Sequence, residues 1–369
     1  VSNVSNVSNV SNVSNVSNVS NVSNVSNVIE VVRQQGNGWK DAWDKFVSAA
    51  DGSTFCHLSG WRSIMENALG HEAIYLVASD AESWRGVLPL VRVRSVLGHF
   101  LISMPFLNDG GPLGDLAAQS ALVEYAVAEA KRSGAAVLEL RARHDLGGSV
   151  ASANRKITVM LPLPDSVEAL WAQTFKAKLR SQVRRPSKEG MTARIGVDQL
   201  SPFYSVFGRN MRDLGTPVLP RAFFDQIAAA FGDRAIFSAV YSAEGAPAAA
   251  ACSLVWRDEV EIVWASSLRE FNKFSPNMLL YASIMEESIR RGASVFNFGR
   301  CTPGGATHKF KLQWGGHDVP LPWPSWSRKG NASPPSPDRP AFRVATAVWS
   351  RLPLAVANRL GPLLARQLP

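Results

Sequence analysis

The feature that most constrains the fold is a ten-residue junction that occurs twice. Residues 131–140 read K-R-S-G-A-A-V-L-E-L and residues 289–298 read I-R-R-G-A-S-V-F-N-F. Each carries the end of a helical stretch into a short apolar strand. The hinge glycine, Gly134 or Gly292, suits the left-handed backbone that closes a helix, a conformation glycine adopts at little steric cost. The basic residues before it suit the negative end of the helix. One such junction is commonplace, but here the surrounding order also repeats. In the first copy, 73–79 and 85–93 read as strands joined by a polar turn, followed by a helix over about 116–133 and a strand at 136–140. In the second copy, 235–241, 248–256 and 260–265 read as strands, followed by a helix over about 276–291 and a strand at 294–298.

Antiparallel strands followed by a helix and a further strand predict an α+β layer fold, with mostly antiparallel sheets and packed helices. The expected organisation is two tandem units, 29–164 and 165–318, with Pro162 and Pro164 at the boundary. Seven prolines in 319–340 read as an irregular linker, so 319–369 is expected to be linker plus tail. Residues 1–28 stand apart, because nine Val-Ser-Asn repeats fill positions 1–27. A three-residue period without charge fits neither a helical face nor an amphipathic strand. The stretch has no basic segment and no apolar run of the secretory kind, and is expected to be a disordered low-complexity extension.

Composition narrows the function classes. With 46% hydrophobic and 19% charged residues the chain is globular. No apolar run is long enough for a membrane-spanning helix. Three cysteines without a C-x-x-C pair suggest neither a disulfide framework nor a zinc site, and no metal-ligand spacing is visible. A reducing compartment is expected. The net charge of +9 favours polyanionic partners, namely RNA, phosphorylated precursors or acidic lipid.

Four segments could carry chemistry. In Ser275-Pro276-Asn277-Met278, Ser275 is placed to cap a helix and Pro276 to open it. This is either a well-capped helix and nothing more, or an anion site made of free backbone N–H groups around Asn277. Residues 298–316, F-G-R-C-T-P-G-G-A-T-H-K-F-K-L-Q-W-G-G, follow a buried strand with Arg300, His308, Lys309 and Lys311 on a glycine-rich loop. That suits an anionic substrate, although the spacing is not that of a P-loop. In 176–188, Lys176, Arg180 and Arg184 fall at helical spacing and form a positive ridge, with the helix expected to end or kink before Pro186. In 209–217, Arg212 and Asp213 are candidates to position substrate, or else ordinary surface charges.

Taken together, the strings N-M-R-D-L-G-T-P (210–217), A-S-S-L-R-E-F-N-K-F-S-P-N-M-L-L-Y (265–281), F-G-R-C-T-P (298–303) and F-K-L-Q-W-G (310–315) resemble the FemAB-type proteins associated with exosortase (PEP-CTERM) systems. The likeness covers about 30–369 and is strongest over 170–318. That family belongs with the Gcn5-related acyltransferase (GNAT) fold, and Fem-type members carry two such units. The resemblance implies transfer of an aminoacyl or acyl group to an amine on a cell-envelope or exopolysaccharide-linked acceptor. It implies aminoacyl-tRNA or acyl-CoA as donor and no tightly bound cofactor. Lys311 matches a functional lysine of Fem-type enzymes and Arg212 a substrate-binding arginine. The chain departs from the pattern at His308, where relatives usually have Tyr, and at Pro186. It also lacks the acyl-CoA signature Q/R-x-x-G-x-G/A before the second helix.

Amine attack on an activated carbonyl needs a neutral amine, two reactants held together and a stabilised oxyanion. Lys311, Arg300 and the helix start at Asn277 are the candidates for charge stabilisation, with Asp213 or His308 as proton acceptor. Arg212, Lys176, Arg180, Arg184, Lys309 and Asn277 are the candidates for holding substrate or tRNA. Residues 341–369 contain Arg343, Arg351, Arg359 and Arg366 and no acid, cut by Pro353 and Pro362. Such a tail either lies on an anionic membrane face or packs back on the body. The resemblance implies a cytoplasmic protein that works near the inner membrane. Two other readings remain open: a GNAT N-acetyltransferase using acyl-CoA on a small amine, and a non-catalytic polyanion-binding protein.

Overall fold

The computed structural model describes residues 28–152, 156–330 and 340–368. The Val-Ser-Asn repeat and the heart of the proline-rich stretch lie outside the described residues. The first unit contributes β1 (Glu30–Arg33), β2 (Glu72–Ser79), β3 (Trp84–Ser95), β4 (Gly98–Ile102), β5 (Leu113–Gly114) and β6 (Val137–Glu139). The remaining strands are β7 (Lys156–Pro162), β8 (Thr192–Ile195), β9 (Ala235–Tyr241), β10 (Pro247–Trp256), β11 (Glu259–Ser267), β12 (Val295–Cys301), β13 (His317–Leu321) and β14 (Ser325–Ser327). They form two seven-stranded sheets, ordered β1-β2-β3-β4-β6-β14, with β5 on β3, and β13-β7-β12-β11-β10-β9-β8.

The internal duplication shows in this topology. Each sheet runs four antiparallel strands and then one parallel pair, β4 with β6 and β11 with β12. In each unit the second strand of the parallel pair is the one that follows the repeated helix–glycine junction, and both Gly134 (φ 76°) and Gly292 (φ 79°) take the left-handed conformation. The α+β expectation therefore holds, with mostly antiparallel sheets.

The expected boundaries need correcting. Strand β7 falls before 164 and was assigned to the first unit, yet it pairs with β12 on one side and β13 on the other, inside the second sheet. Strand β14, expected to be linker, returns to the first sheet and pairs with β6. Each sheet is thus completed by a strand that chain order would give to its neighbour. Pro320 falls on β13, an edge strand, where a proline is tolerated.

Helices pack in three layers around the two sheets. Helix α3 (Leu116–Ser133) covers the outer face of the first sheet, burying Leu122, Ala126 and Ala130 on Ile74, Leu76 and Leu90. The outer face of the second sheet carries α4 (Ala177–Lys188) and α7 (Pro276–Arg290), which bury Leu179, Val183, Leu280 and Ile284 on Ile236, Val240 and Phe296. Four helices lie between the sheets: α1 (Lys40–Ala49), α2 (Gly60–Leu69), α5 (Leu200–Asp213) and α6 (Arg221–Phe231). Their Trp43, Trp61, Phe203 and Phe224 join Tyr75 and Val77 of one sheet to Phe237 and Ala239 of the other in a single core. Strand alternation explains the division: along β9, Ile236 and Val240 face outward to α7 while Phe237 and Ala239 face the shared core. Ring contacts knit the middle layer, with Trp61 to Phe231 at 4.9 Å, Phe203 to Phe224 at 4.9 Å and Phe224 to Trp264 at 5.2 Å.

The seam between the units is also tied by a buried polar cluster. The Asn108 carboxamide donates to the carboxylate of Glu261, which is wholly buried. Arg143 donates to Asp109 at 2.9 Å and to both Glu259 oxygens at 2.8 and 3.0 Å. Burial, reinforced by the Asp109 and Glu259 carboxylates, pushes Glu261 up to about 8.

Two outcomes are expected. Phe224→Ala should cost about 3–5 kcal/mol, because it empties a ring site shared by both units. Urea unfolding followed by tryptophan fluorescence and by far-ultraviolet circular dichroism should shift as one coincident transition; two separated transitions would mean that the units fold independently. Between its ordinary 4.5 and about 8, Glu261 keeps in the folded state a proton that the unfolded chain has lost, so stability falls as pH rises through that window. Glu261→Gln keeps the Asn108 bond but cannot ionise. Its stability advantage over the parent should grow from near zero below pH 4.5 to a plateau above pH 8; a pH-independent difference would contradict the assignment.

Candidate active site

The site begins where two parallel strands part. Strands β11 and β12 pair only from Glu259–Val295 to Glu261–Asn297. Beyond that point β12 bulges against β7, between Asn297 and Arg300. The bulge is held from its own side chains: Asn297 Oδ1 accepts from the Gly299 N–H at 2.9 Å and from the Thr158 hydroxyl at 2.5 Å, and its Nδ2 donates to Glu259 at 2.8 Å. Gly299 sits at φ 71°, and a Cβ there would come within 2.6 Å of the Ile262 carbonyl oxygen, so the bulge demands glycine.

The bulge turns two carbonyls toward Lys311, on the short helix α8 (Ala306–Leu312). Lys311 Nζ donates to the carbonyls of Gly299 at 2.5 Å and Arg300 at 3.0 Å. The side chain is 3% exposed, and burial pulls its pKa down to about 8. On the strand side of the same glycine lies Glu261, whose Oε1 would be 3.7 Å from a Cβ at Gly299. Glu261 Oε2 and Asp109 Oδ1 are buried without a hydrogen-bond partner among the described residues. A buried ammonium and a buried carboxyl group therefore flank one glycine.

A groove runs along the opening. Its centre, about 340 Å³, is lined by Asn210, Ser266, Ser267, Asn277, Tyr281, Thr307 and Phe310. A lobe of about 260 Å³ shares Asn277 and Phe310 and reaches Gln182 and Arg185 on α4. Another of about 270 Å³ shares Thr307 and reaches Lys156 and Arg300. Asn277 Nδ2 donates to Ser267 Oγ at 3.0 Å and Asn210 Nδ2 to Ser266 Oγ at 3.0 Å. The Asn277 Oδ1 is buried without a partner. Helix α7 opens into this groove, and the N–H groups of a first helical turn lack intrahelical acceptors.

Asn277 lines the centre of the groove and Arg300 one of its lobes, while Lys311 lines neither and meets the site through its bonds to the Gly299 and Arg300 carbonyls. Arg300 is exposed at one end, its guanidinium 5.3 Å over the Trp323 ring, while Lys311 lies beneath the floor rather than in the opening. Ser275 precedes the helix as expected but makes no side-chain cap, since its backbone is left-handed at φ 60°. Lys309 is on the same short helix and points to solvent.

Other candidates are engaged elsewhere. His308 is buried, accepting from the Gly304 N–H on Nδ1 at 2.9 Å and contacting Asp318 through Nε2 at 2.8 Å. An accepting Nδ1 puts the ring proton on Nε2, where it donates to the carboxylate. Both nitrogens are occupied, so His308 locks the loop rather than awaiting a proton. Arg180 donates to the carbonyls of Trp171 (3.3 Å) and Phe175 (2.6 Å), and Arg184 lies 5.2 Å over the Trp171 ring. That ridge braces the preceding turn, with Lys176 exposed at its start; the neighbouring face of the helix, carrying Gln182 and Arg185, meets the groove instead. The helix also continues through Pro186 to Lys188, past the expected stop. Arg212 donates to the Leu352 carbonyl at 2.9 Å and contacts Asp213 at 2.7 Å, so this pair holds the C-terminal segment and does not line the groove.

Sequence reasoning missed Glu261, Asp109, Asn210 and Arg185. Glu261 did leave a trace, as an acid between Val260 and Ile262 on a strand whose neighbours are buried. The partners that make it unusual come from residues 108 and 109, far away in the chain.

Comparison with known proteins bears on the fold. Residues 173–311 match the family described as Acetyltransferase (GNAT) domain. No curated protein sequence gives a significant match. Among solved structures the chain is similar to FemX, at 14% identity and TM-score 0.61 over 80% of this chain and 97% of that one. It is also similar to L-PGS from Bacillus licheniformis (13% identity, TM-score 0.51, 85% of this chain and 97% of that one). A third likeness is to a tandem GNAT protein from the clavulanic acid biosynthesis pathway (14% identity, TM-score 0.50, 83% of this chain and all of that one). The overall fold is thus that of tandem GNAT structures, and the match of residues 173–311 to an acetyltransferase domain supports an acyltransferase.

Proposed function

We propose that this chain is a Fem-like N-acyltransferase. In this reading the groove at the parting of β11 and β12 holds the reactive end of an aminoacyl-tRNA, and the acyl group passes to an amine on a cell-envelope or exopolysaccharide-linked acceptor. The observation that carries the proposal is the bulge at Gly299–Arg300, held by a buried lysine, with Arg300 lining one lobe of a groove whose centre is lined with hydrogen-bonding groups.

The amine nitrogen attacks the ester carbonyl, the C–N bond forms, the bond from the carbonyl carbon to the ribose oxygen breaks, and the amine proton leaves with the ribose hydroxyl. The groups around the groove fit the needs of that step. The Ser266 and Ser267 hydroxyls, Thr307 and the first-turn amides of α7 offer donors to the developing oxyanion. The Lys311 ammonium is held at the Gly299 and Arg300 carbonyls of the bulge. Cations stand at both ends, Arg185 at one and Arg300 with Lys156 at the other, which suits a phosphodiester chain laid through the groove. The similarity to FemX in fold supports the same reading.

Acyl-CoA is the second reading, favoured by the GNAT family match. Against it, the segment before α7 is a turn of 3-10 helix, Arg269–Phe274, rich in side chains rather than a glycine loop that would let backbone amides close on a pyrophosphate.

Lys311→Met should lower kcat/KM by at least about tenfold, because it removes the charge behind the bulge and frees the two carbonyls it holds. The assay is transfer of label from aminoacyl-tRNA, and in parallel from acetyl-CoA, to glycinamide as acceptor. Turnover at the parent rate would remove Lys311 from the site, and transfer from acetyl-CoA alone would replace the donor. Arg185→Glu should weaken tRNA binding and flatten its salt dependence by about one charge.

A further inference from the structure

We propose that the two C-terminal helices form a docking surface for an anionic lipid bilayer. These are α9 (Pro340–Trp349) and α10 (Leu354–Ala365). This inference stands apart from the acyl-transfer reading, because it uses none of the groove residues.

Helix α10 is amphipathic in the inverse sense. The face it lays on the body is made of small residues, Ala357, Gly361 and Ala365, all buried. The approach is close: a Cβ on Gly361 would stand 3.0 Å from the Val218 backbone nitrogen, and one on Gly208 would stand 3.0 Å from Asn358 Oδ1. Arg212 fixes the start of the segment through the Leu352 carbonyl. The large apolar residues point the other way. Val356, Leu360, Leu363 and Leu364 are 40%, 43%, 51% and 44% exposed, and on α9 Val344 and Val348 are 70% and 59% exposed. A helix that uses its small residues for its own protein and turns its leucines outward has a second apolar phase to meet.

Charge identifies that phase. Residues 341–369 contain four arginines and no Asp, Glu or Lys. On a helical projection Arg359 and Arg366 sit side by side along one edge of the Val356–Leu360–Leu363–Leu364 stripe. Leucines to enter the acyl boundary, with arginines beside them at headgroup level, make the arrangement of an interfacial helix on anionic lipid. A second copy of the chain is a poorer occupant, since pairing this face with itself would bring like-charged arginine edges together on a protein already at +9. No helix among the described residues is long and apolar enough to cross a membrane, so the contact is one of lying on the surface.

The test is flotation of the full chain with vesicles of phosphatidylcholine alone and of phosphatidylcholine mixed with phosphatidylglycerol. The parent should float with the anionic vesicles, and less so as salt rises. The triple variant L360S/L363S/L364S should partition at least tenfold more weakly. R359E/R366E should lose the preference for phosphatidylglycerol, by roughly fivefold per arginine. Since these side chains point away from the body, circular dichroism and thermal unfolding should match the parent, which separates a lost surface from a lost fold. A parent that stays with the unbound fraction would overturn the proposal, as would equal partition of the triple variant. So would a lipid-free dimer, seen by light scattering, that the triple variant abolishes.

Discussion

Everything around the groove depends on one distorted peptide, the bulge at Gly299. Parallel strands β11 and β12 share three residues of register and then separate. The separation would leave carbonyls of β12 without ladder partners inside the protein, a costly state for buried backbone. Lys311 supplies the missing donors. Its ammonium bonds two successive carbonyls, and in exchange for leaving water it receives two strong acceptors. The side chain cannot be truncated without reopening the same deficit, and the glycine cannot acquire a Cβ without striking the Ile262 carbonyl. Sheet opening, lysine burial and glycine conformation are three faces of one constraint.

That constraint is useful only because the opening is rigid, and the rigidity comes from the middle layer. The four helices between the sheets bury aromatic side chains against both, so neither unit has a complete core of its own. The exchange of edge strands adds to this: β7 enters the second sheet before that unit's own helices appear, and β14 returns to the first after they end. The chain therefore crosses the seam repeatedly, and the polar cluster of Asn108, Asp109, Arg143, Glu259 and Glu261 fixes the two units in register at the back of the bulge.

What could be read in advance follows from how local each signal is. The helix–glycine–strand junctions were legible because helix closure and a left-handed glycine are set within a few residues, and both junctions stand where expected. The elements of the groove wall, from Ser266 to Met278 and from Phe298 to Lys311, were legible as unusual strings. Pairing was not. Strand β7 was misassigned because nothing in K-I-T-V-M-L-P names its partners, and β14 was hidden by the prolines that flank it. The basic ridge misled for a related reason: spacing gives the angle of Arg180 and Arg184 about the helix axis but not which side faces the groove, and Arg185 turned out to be the one that does. Arg212 and Asp213 lay in a suggestive string, yet the partner that occupies Arg212, the Leu352 carbonyl, is 140 residues away.

The two buried ionisable groups at the bulge also decide what charge the groove floor presents. Lys311 is held down to about 8 and Glu261 is pushed up to about 8, so the two meet near the same pH from opposite sides. At pH 7 both therefore favour the protonated form, which leaves the lysine cationic and the carboxyl group neutral. A charged carboxylate in that position would cancel the lysine across a single glycine; a neutral one leaves close to a full positive charge at the bulge. The Asp109 and Glu259 carboxylates, which help to hold Glu261 neutral, are themselves answered by Arg143 on the far side of the seam. Burying an acid beside a lysine is therefore not a wasted charge pair. At neutral pH the acid is kept uncharged, and the charge that remains beside the bulge is that of the lysine.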